Sequence, residues 1–321
     1  MLWFLCALFL FSCKDIPNSL SDVSENKKSA PIGSSVKLVI LGTVQDAGSP
    51  QIACEKDCCK DLQKYPDNTR NVVALGLVDG VHKKSYLIEA TPNIGLQLNH
   101  LNELASFPSK PLPDGVFLTH AHIGHYTGLM YFGKESLNSE KLPVFVMPQM
   151  SSFLTQNGPW GQLVSNDNIV LKALEANKGI KLSSSLTVTP FLVPHRDEYS
   201  ETVGFLIEGP DKKVLFIPDI DKWARWEKSI VRAISEVDYA FIDATFYDEK
   251  EINNRDISEI PHPFVIESMA LFNDLTSAEK GKIYFTHFNH TNPLLTPESE
   301  EYKDVVSKGF HVASFLEEFE L

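Results

Sequence analysis

Three histidines lie within six positions of one another in this chain. His120, His122 and His125 fall in the segment FLTHAHIGHYTGL, directly after an apolar run at residues 115–118. Residues two apart on an extended segment project to the same side, so His120 and His122 can bind one ion. His125, at the start of the next predicted helix, is placed to serve a neighbouring ion. Imidazole is a preferred ligand of zinc, copper and iron, so this spacing indicates a transition-metal site.

More metal-competent side chains stand at the ends of other apolar runs. His195 follows PFLV, Asp219 follows VLFIP, Asp243 follows YAFI and His287 follows KIYF. Because ligands of α/β proteins gather where buried strands end, we expect these side chains to converge on one rim of a sheet. A single histidine is most often a surface or core residue, whereas three within six positions and two more at strand ends favour a metal centre.

Ten short apolar runs, separated by Gly, Pro and Asp, predict the strands that carry these residues. The runs are VKLVILGT, NVVALGLVDG, KSYLIEAT, GVFLTH, LPVFVMP, LTVTPFLVPH, TVGFLIEG, KVLFIPD, VDYAFIDAT and KIYFTH. Helices are expected at residues 95–105, 128–136, 223–235, 265–275 and 299–308. Helices interspersed among short buried strands predict an α/β (α+β) fold in which helices cover sheets.

Length and charge narrow the class of protein. The 321 residues, 43% of them hydrophobic, suffice for a sizeable core, and without internal repeats residues 36–321 are predicted to form one domain. The net charge of -13 and the lack of a Lys/Arg cluster argue against nucleic acid as a partner. We therefore expect a small-molecule substrate.

The N-terminal segment predicts export. Residues 1–12 form an apolar run that is shorter than the roughly 20 residues of a membrane-spanning helix, and Cys13 follows it. The run is typical of a signal peptide, and LFSC resembles the motif at which bacterial lipoproteins are lipidated, here on Cys13. Residues 13–35 have the composition of a flexible tether. No Lys or Arg precedes the run, although signal peptides usually begin with basic residues. The alternatives are a misassigned start or a frayed apolar tail. On the lipoprotein interpretation, the protein faces the periplasm or the outside and contacts the membrane only through its lipid.

Three cysteines form a separate cluster. Cys54, Cys58 and Cys59 fall within QIACEKDCCKDL. Their spacing suits a structural zinc ion with a fourth ligand from elsewhere. A disulfide or free thiols would account for the same residues in an exported protein.

The segment THAHIGHYTGL resembles the HxHxDH signature of the metallo-β-lactamase superfamily. LGTVQDAGSPQIAC, PHRDEYSETVGF, FIPDIDKW, FIDATFYDEKE and HFNHTNP extend the resemblance along the chain. Together they are most similar to the branch that contains the pyrroloquinoline quinone (PQQ) biosynthesis protein B. The resemblance implies a four-layer αββα sandwich with one or two metal ions at an edge of its paired sheets.

The resemblance also implies two ligand sets. The first ion would be bound by His120, His122 and His195, and the second by His125, His287 and a bridging Asp219. Gly124 stands where the superfamily usually has an aspartate ligand of the second ion. The second site is therefore expected to be weak, and Gly124→Asp is expected to raise its occupancy. Asp46, in the loop after the first strand, is the nearest acid to fill the gap, although an aspartate there can also cap its own loop.

The remaining polar residues are assigned roles around these ions. His262 and His290 stand in loops near the rim, where either can donate a proton or orient substrate, or stabilise its own loop. Arg196 can anchor an acidic substrate or pair with a neighbouring acid. Asp243 is expected to orient a ligand histidine.

Zinc is the metal expected first, with iron or manganese also suited. Zinc lowers the pKa of bound water to about 7, so a metal-bound hydroxide would attack an ester, lactone, amide or phosphodiester bond. Two other functions remain open: a non-haem iron oxygenase in quinone cofactor synthesis, and a non-catalytic protein that binds or carries a PQQ-like small molecule.

Overall fold

Two seven-stranded sheets stack at the centre of the structure, a computed structural model that describes residues 35–107, 111–252 and 256–321. The first sheet has the order β14-β1-β2-β3-β4-β5-β6. Its strands are β1 (Val36–Gly42), β2 (Ala74–Asp79), β3 (Lys84–Ile88), β4 (Gly115–Phe117), β5 (Leu142–Val146), β6 (Ile169–Ala173) and β14 (Glu318–Glu320). Pairing is parallel from β3 to β6 and antiparallel among β14, β1, β2 and β3.

The second sheet has the order β13-β12-β11-β10-β9-β8-β7. Its strands are β7 (Ile180–Lys181), β8 (Thr187–Leu192), β9 (Val203–Glu208), β10 (Lys213–Ile217), β11 (Tyr239–Asp243), β12 (Ile283–Thr286) and β13 (His311–Val312). Since β8 and β10 are each antiparallel to β9 and β10 to β13 run parallel, the ends of β8, β10, β11 and β12 meet at one edge. That edge carries the predicted ligands of this sheet.

The described residues form nine α-helices, most of them short. They are α1 (Asp57–Lys60), α2 (Ile94–Ala105), α3 (Ile123–Tyr126), α4 (Pro148–Gln156), α5 (Trp160–Ser165), α6 (Ile230–Ser235), α7 (Val265–Leu271), α8 (Ser277–Lys280) and α9 (Glu300–Ser307). Five 3-10 helices add to them: Thr127–Phe132, Trp223–Arg225, Glu249–Ile252, Ile257–Glu259 and Pro293–Leu295.

Side chains that alternate along the strands divide the core into layers. Leu38 and Ile40 of β1 pack with Phe205 and Phe216 of the second sheet, whereas Val39 of the same strand belongs to the cluster that includes α2. A third cluster joins the outer face of the second sheet to α6, α7 and α9. The predicted αββα sandwich is therefore confirmed, with one core between the sheets and one under each helical layer.

The ten predicted strands all form, and the errors lie at the sheet edges and in the helices. The short or polar strands β6, β7, β13 and β14 were not predicted, because edge strands lack a long apolar run. The helix predicted at 223–235 is two elements, since Ser229 caps α6 and Trp226 is extended. The helix predicted at 128–136 is instead a 3-10 helix that ends before an extended Gly133.

A buried carboxylate ties the two sheets together at the turn between β2 and β3. Asp79 is fully buried, and its Oδ2 accepts from the Ser183 hydroxyl at 2.6 Å and contacts His82 Nδ1 at 2.9 Å. His82 Nε2 in turn lies 3.0 Å from the Ser184 hydroxyl. The turn of the first sheet is thus held to the loop that precedes β8.

The predicted signal peptide, Cys13 and all but the last residue of the predicted tether lie outside the described residues. Within the part of the chain that is described, no helix has the length and apolar character needed to cross a membrane.

Candidate metal centre

Three imidazoles and a carboxylate converge at the edge where β4, β8 and β10 end. His120 Nε2 lies 2.9 Å from His122 Nδ1, and His195 Nε2 lies 3.2 Å from the same atom. Asp219 Oδ2 is 3.4 Å from His120 Nε2 and 3.2 Å from His195 Nε2. These four residues, the first cluster, include the three histidines expected to bind the first ion, and one potential ligand atom from each faces the others.

A second cluster lies beside the first. It consists of Asp46, His125 and His287, with Asp46 Oδ1 2.9 Å from His125 Nε2 and 3.7 Å from His287 Nε2. All three of these atoms are buried and none makes a hydrogen bond. Buried polar atoms without a hydrogen bond are uncommon, and these three lie within reach of a single ion, so the donors present fit a divalent metal ion.

Asp219 connects the two clusters. Its Oδ1 makes no hydrogen bond although it is buried, and it lies 3.2 Å from His262 Nδ1. Asp219 also groups with Asp243, His262 and His287 within reach of a single ion. This position between the clusters suits the bridging role that the sequence assigned to it.

Hydroxyl and carboxylate groups fix which ring nitrogen faces the centre. In four histidines Nδ1 contacts such a group, so Nε2 is the ring atom that faces the metal centre. The pairs are His120 with Thr119 at 2.9 Å, His125 with Glu89 at 3.0 Å, His195 with Asp221 at 3.3 Å and His287 with Thr245 at 2.9 Å. His122 is reversed, because its Nε2 contacts Glu198 at 3.1 Å and its Nδ1 faces the cluster.

Sequence reasoning missed most of these outer partners. Glu89 closes the apolar run of β3, and Thr119 and Thr245 look like ordinary residues beside a strand end. Glu89 and His287 both have a positive φ, 79° and 65°, which side chains with a Cβ rarely adopt. Such strain is concentrated at functional sites. Asp243, by contrast, was expected to orient a ligand, and its Oδ1 lies 3.6 Å from His287 Nδ1.

Buried opposite charges set the pKa values of this centre. Burial alone would raise the pKa of Asp46, but His125 and His287 hold it well below its usual range. Burial disfavours the charged form of His287, yet the Asp243 and Asp46 carboxylates raise its pKa to about 9. His120 differs, because burial and the adjacent His125 lower its pKa well below the usual value. The carboxylates are therefore ionised and call for positive charge, which a metal ion supplies.

Gly124 does not leave the space that the sequence suggested. A Cβ built on it would lie 2.5 Å from Asp46 Oδ1 and 2.6 Å from Asp46 Cα. The premise behind the expectation for Gly124→Asp is therefore wrong, since a side chain there would collide with Asp46. The expectation that Asp46 caps its own loop also fails. The amide of Ala47 donates to the Gln45 side chain and that of Gly48 to the Gln45 carbonyl, and no backbone amide of the described residues donates to Asp46.

The cysteines form a third cluster together with His290, which was predicted to lie near the rim of the histidine site. Cys54, Cys58, Cys59 and His290 each offer a ligand atom within reach of one ion. The Sγ atoms of Cys54 and Cys58 are 4.0 Å apart and those of Cys58 and Cys59 are 3.8 Å apart, too far for a disulfide. The structure thus places His290, which the sequence assigned to catalysis, beside the cysteines as the missing fourth donor of a Cys₃His set.

Charged side chains line the open side of the first cluster. Arg196 Nη2 lies 3.4 Å from His122 Nε2, and its Nη1 lies 3.7 Å from Glu198 Oε1. The Arg196 side chain is 56% exposed. A guanidinium half-open to solvent and next to a ligand histidine can receive an anionic group, while Glu198 limits its mobility.

The stacked sheets, outer helices and histidine-rich edge define a metallo-β-lactamase fold. The family model described as the β-lactamase superfamily domain matches residues 84–288, more than half of the chain, and the chain belongs to that family.

Comparison with known proteins indicates which members of the family this chain resembles. Coenzyme PQQ synthesis protein B of Methylococcus capsulatus is 25% identical over 303 residues, which cover 85% of this chain and 96% of that protein. The solved structure of Zn²⁺-bound PqqB from Methylobacterium extorquens has a TM-score of 0.72 at 22% identity and covers 89% of this chain and 100% of that one. A diphosphatase of the PhnP family has a TM-score of 0.61 at 18% identity, with 89% and 97% covered. The resemblance to the branch of PQQ biosynthesis protein B, noted from the sequence, is thereby confirmed.

Proposed function

We propose that this chain is a metal-dependent hydrolase that acts on a small, anionic substrate. One observation carries the proposal: two adjacent clusters of buried ligand atoms, with Asp219 within reach of His287 of the second, leave four polar atoms without a hydrogen bond. These atoms are Asp46 Oδ1, His125 Nε2, Asp219 Oδ1 and His287 Nε2. A fold that needed these residues only for stability would pair them with one another or with the backbone.

His120, His122 and His195 would hold the first ion, His125 and His287 the second, with Asp219 between them. A bound divalent ion, zinc in this proposal, supplies a Lewis acid and a water whose pKa is lowered to about 7. Asp219 would relate the two ligand sets, because its Oδ2 lies 3.2 Å from His195 Nε2 and its carboxylate also groups with His287 within reach of one ion.

His262 is proposed as the proton donor to the leaving group. Its Nδ1 lies 2.9 Å from Asp243 Oδ2 and 3.2 Å from Asp219 Oδ1. Burial disfavours its charged form, but these two carboxylates raise the pKa of His262 well above its usual value. Since Nδ1 is engaged by both acids, Nε2 is the ring atom left to give a proton to the departing oxygen or nitrogen.

Arg196 is proposed to bind the acidic part of the substrate at the open side of the first cluster. A planar guanidinium matches carboxylate and phosphate groups in two-point contacts. The net charge of -13 makes a long polyanion an unsuitable substrate, so the anionic group belongs to a small molecule. The diphosphatase that shares this fold is itself named for hydrolysis, which supports the reaction class.

Metal analysis beside a substrate panel tests the proposal. The purified protein is expected to contain a divalent transition metal, and His120→Ala and His195→Ala are expected to lose the ion of the first cluster along with turnover of esters, lactones or phosphodiesters. His100→Gln, on the remote helix α2, serves as the control. Full metal content in both alanine variants would refute the centre. Iron with oxygen uptake would favour an oxygenase, and tight binding of a quinone-like ligand without turnover would favour a carrier.

A leaving-group series tests His262. His262→Gln is expected to lower kcat about 10²–10⁴-fold for substrates with poor leaving groups, the usual contribution of general acid catalysis. Substrates with activated leaving groups, such as nitrophenolate, need no proton and should be turned over nearly as fast as by the wild type. An equal loss on both kinds of substrate would contradict the assignment.

A further inference from the structure

The geometry points to Asp46 as the acidic ligand of the second ion, brought in from the loop after β1 instead of from α3. This inference rests on the proposed metal-dependent function and concerns the ligand set of the second cluster. It explains Gly124 and Asp46 together, because one residue is small so that the other can reach the ion.

The Asp46 carboxylate occupies the space beside Gly124. The position that a Cβ of residue 124 would take lies 2.5 Å from Asp46 Oδ1 and 2.8 Å from Asp46 Cγ. Distances below 3.0 Å are not tolerated between such atoms, so the Asp46 carboxylate fills the volume into which a side chain at 124 would project. Gly124 is next to His125, so that volume adjoins a candidate ligand. The Asp46 carboxylate therefore lies where a ligand side chain of α3 would otherwise be.

Asp46 Oδ1 has no hydrogen-bond partner among the described residues. Asp46 Oδ1 and His125 Nε2 are only 2.9 Å apart, yet their orientation is not that of a hydrogen bond. His287 Nε2, 3.7 Å from the same oxygen, also makes no hydrogen bond. Since no backbone amide of the described residues donates to this carboxylate, the loop does not depend on it. Three buried donor atoms that lie within 4.8 Å of one another and make no hydrogen bond suit the ligands of one metal ion.

Backbone hydrogen bonds join the loops that carry Asp46 and His287. The amide of Gln45 donates to the Phe288 carbonyl at 2.8 Å, and the amide of Phe288 donates to the Thr43 carbonyl at 2.8 Å. Val44 also forms isolated bridges with Phe288 and Val72. Asp46 and His287 are each adjacent to this pairing, so their relative position is set by the backbone before an ion binds. A ligand pair held in this way loses little conformational entropy on binding.

Removing the carboxylate is the first test. Asp46→Asn is expected to lower the affinity of the second site for Zn²⁺ by at least about 10–100-fold, the effect of losing even an outer partner of a metal ligand. Equilibrium dialysis against Zn²⁺ with elemental analysis gives the affinity and the number of ions per chain. The ions at the first cluster and at the cysteines should be retained, and Asp211→Asn, an exposed aspartate, should match the wild type. Asp46→Ala repeats the test without an amide oxygen.

Displacing the carboxylate is the second test. In Gly124→Ala the new methyl group meets the Asp46 backbone and must push the loop away, so the second ion is expected to be lost as in Asp46→Asn. Gly95→Ala is the matched control, since no heavy atom lies within 4 Å of the added Cβ. Circular dichroism and thermal melting, recorded for all variants without metal, separate this effect from unfolding.

The outcomes are distinguishable. Loss of the second ion alone in Asp46→Asn, Asp46→Ala and Gly124→Ala would support the inference. Wild-type affinity for both ions in folded Asp46→Asn and Asp46→Ala would overturn it and leave the metal centre intact. Retention of every ion in His120→Ala would overturn the proposed function and the ligand set with it.

Discussion

His287 and His290 lie three residues apart on the loop after β12, yet they belong to different metal-competent clusters. His287 faces Asp46 and His125, whereas His290 faces Cys54, Cys58 and Cys59. The loop after β1 shows the same division, because Asp46 precedes Cys54 by eight residues. Two loops therefore build both clusters, and an ion at the cysteines would hold together the segments that carry Asp46 and His287.

This arrangement predicts coupling between the clusters. His290→Gln is expected to lose the ion of the cysteines and, through the shared loops, to lower the affinity of the second histidine site for Zn²⁺. The first cluster should keep its ion, since β4, β8 and β10 hold it. Metal titration monitored by elemental analysis checks the result, with His100→Gln as the control. An unchanged second site in a variant that has lost the cysteine-bound ion would contradict the coupling.

Strand-end histidines were predictable because their signal is local. His120 and His122 are two apart on an extended segment, and His195 and His287 each follow a long apolar run, so sheet geometry alone brings them to one edge. The strands were predictable for the same reason, since β2, β10 and β12 are buried on nearly every residue.

Contacts between distant segments were not predictable in this way. Gly124 and Asp46 are far apart in sequence, and only the approach of two backbones shows that one fills the space of the other. Likewise His290 resembles His287 in sequence, but the turn between them sends the two rings to different clusters. Glu89 carries no local sign of its role, because a glutamate at the end of a strand is commonly a solvent-facing residue.

Glu89 is predicted to position His125. Its fully buried carboxylate contacts His125 Nδ1 at 3.0 Å and accepts from the Thr119 hydroxyl at 2.5 Å. Glu89→Gln removes the negative charge that makes the imidazole a stronger ligand, so Zn²⁺ affinity of the second cluster should fall about 10–100-fold. Competition with a chelator measures it. The exposed Glu140→Gln should have no effect, and an equally small effect of Glu89→Gln would show that the contact is only structural.

Membrane anchoring is predicted to depend on lipidation of Cys13. If the thiol of Cys13 carries lipid, Cys13→Ser removes the only acylated atom, and the chain should move from the membrane to the soluble fraction of the cell. Fractionation of cells that express each form, with a lipid label on the wild type, tests this expectation. Identical partition of the two forms would show that Cys13 is not the anchor.

Asp79 is predicted to stabilise the fold in a pH-dependent manner. Burial alone would raise the pKa of Asp79, but the Ser183 hydroxyl and the amide and ring of His82 hold it below its usual range. A carboxyl whose pKa is lower in the folded state stabilises the protein above its unfolded pKa, about 3.9, and loses that effect as the pH falls through its folded pKa. Asp79→Asn is therefore expected to reduce the free energy of unfolding at pH 7 by about 1–3 kcal/mol, the cost of unsatisfied buried polar groups.

The difference between wild type and Asp79→Asn should shrink as the pH falls from about 4 through the lower pKa of folded Asp79, because the unfolded carboxyl is protonated first and the folded carboxyl, once protonated, resembles the amide. Urea unfolding at a series of pH values measures both free energies, and loss of metal at low pH affects the two proteins alike. Asp211→Asn, in the exposed turn between β9 and β10, is the matched control and should follow the wild type throughout. A constant difference between wild type and Asp79→Asn down to pH values well below the ordinary range for aspartate would mean that shape, and not charge, makes Asp79 stabilising.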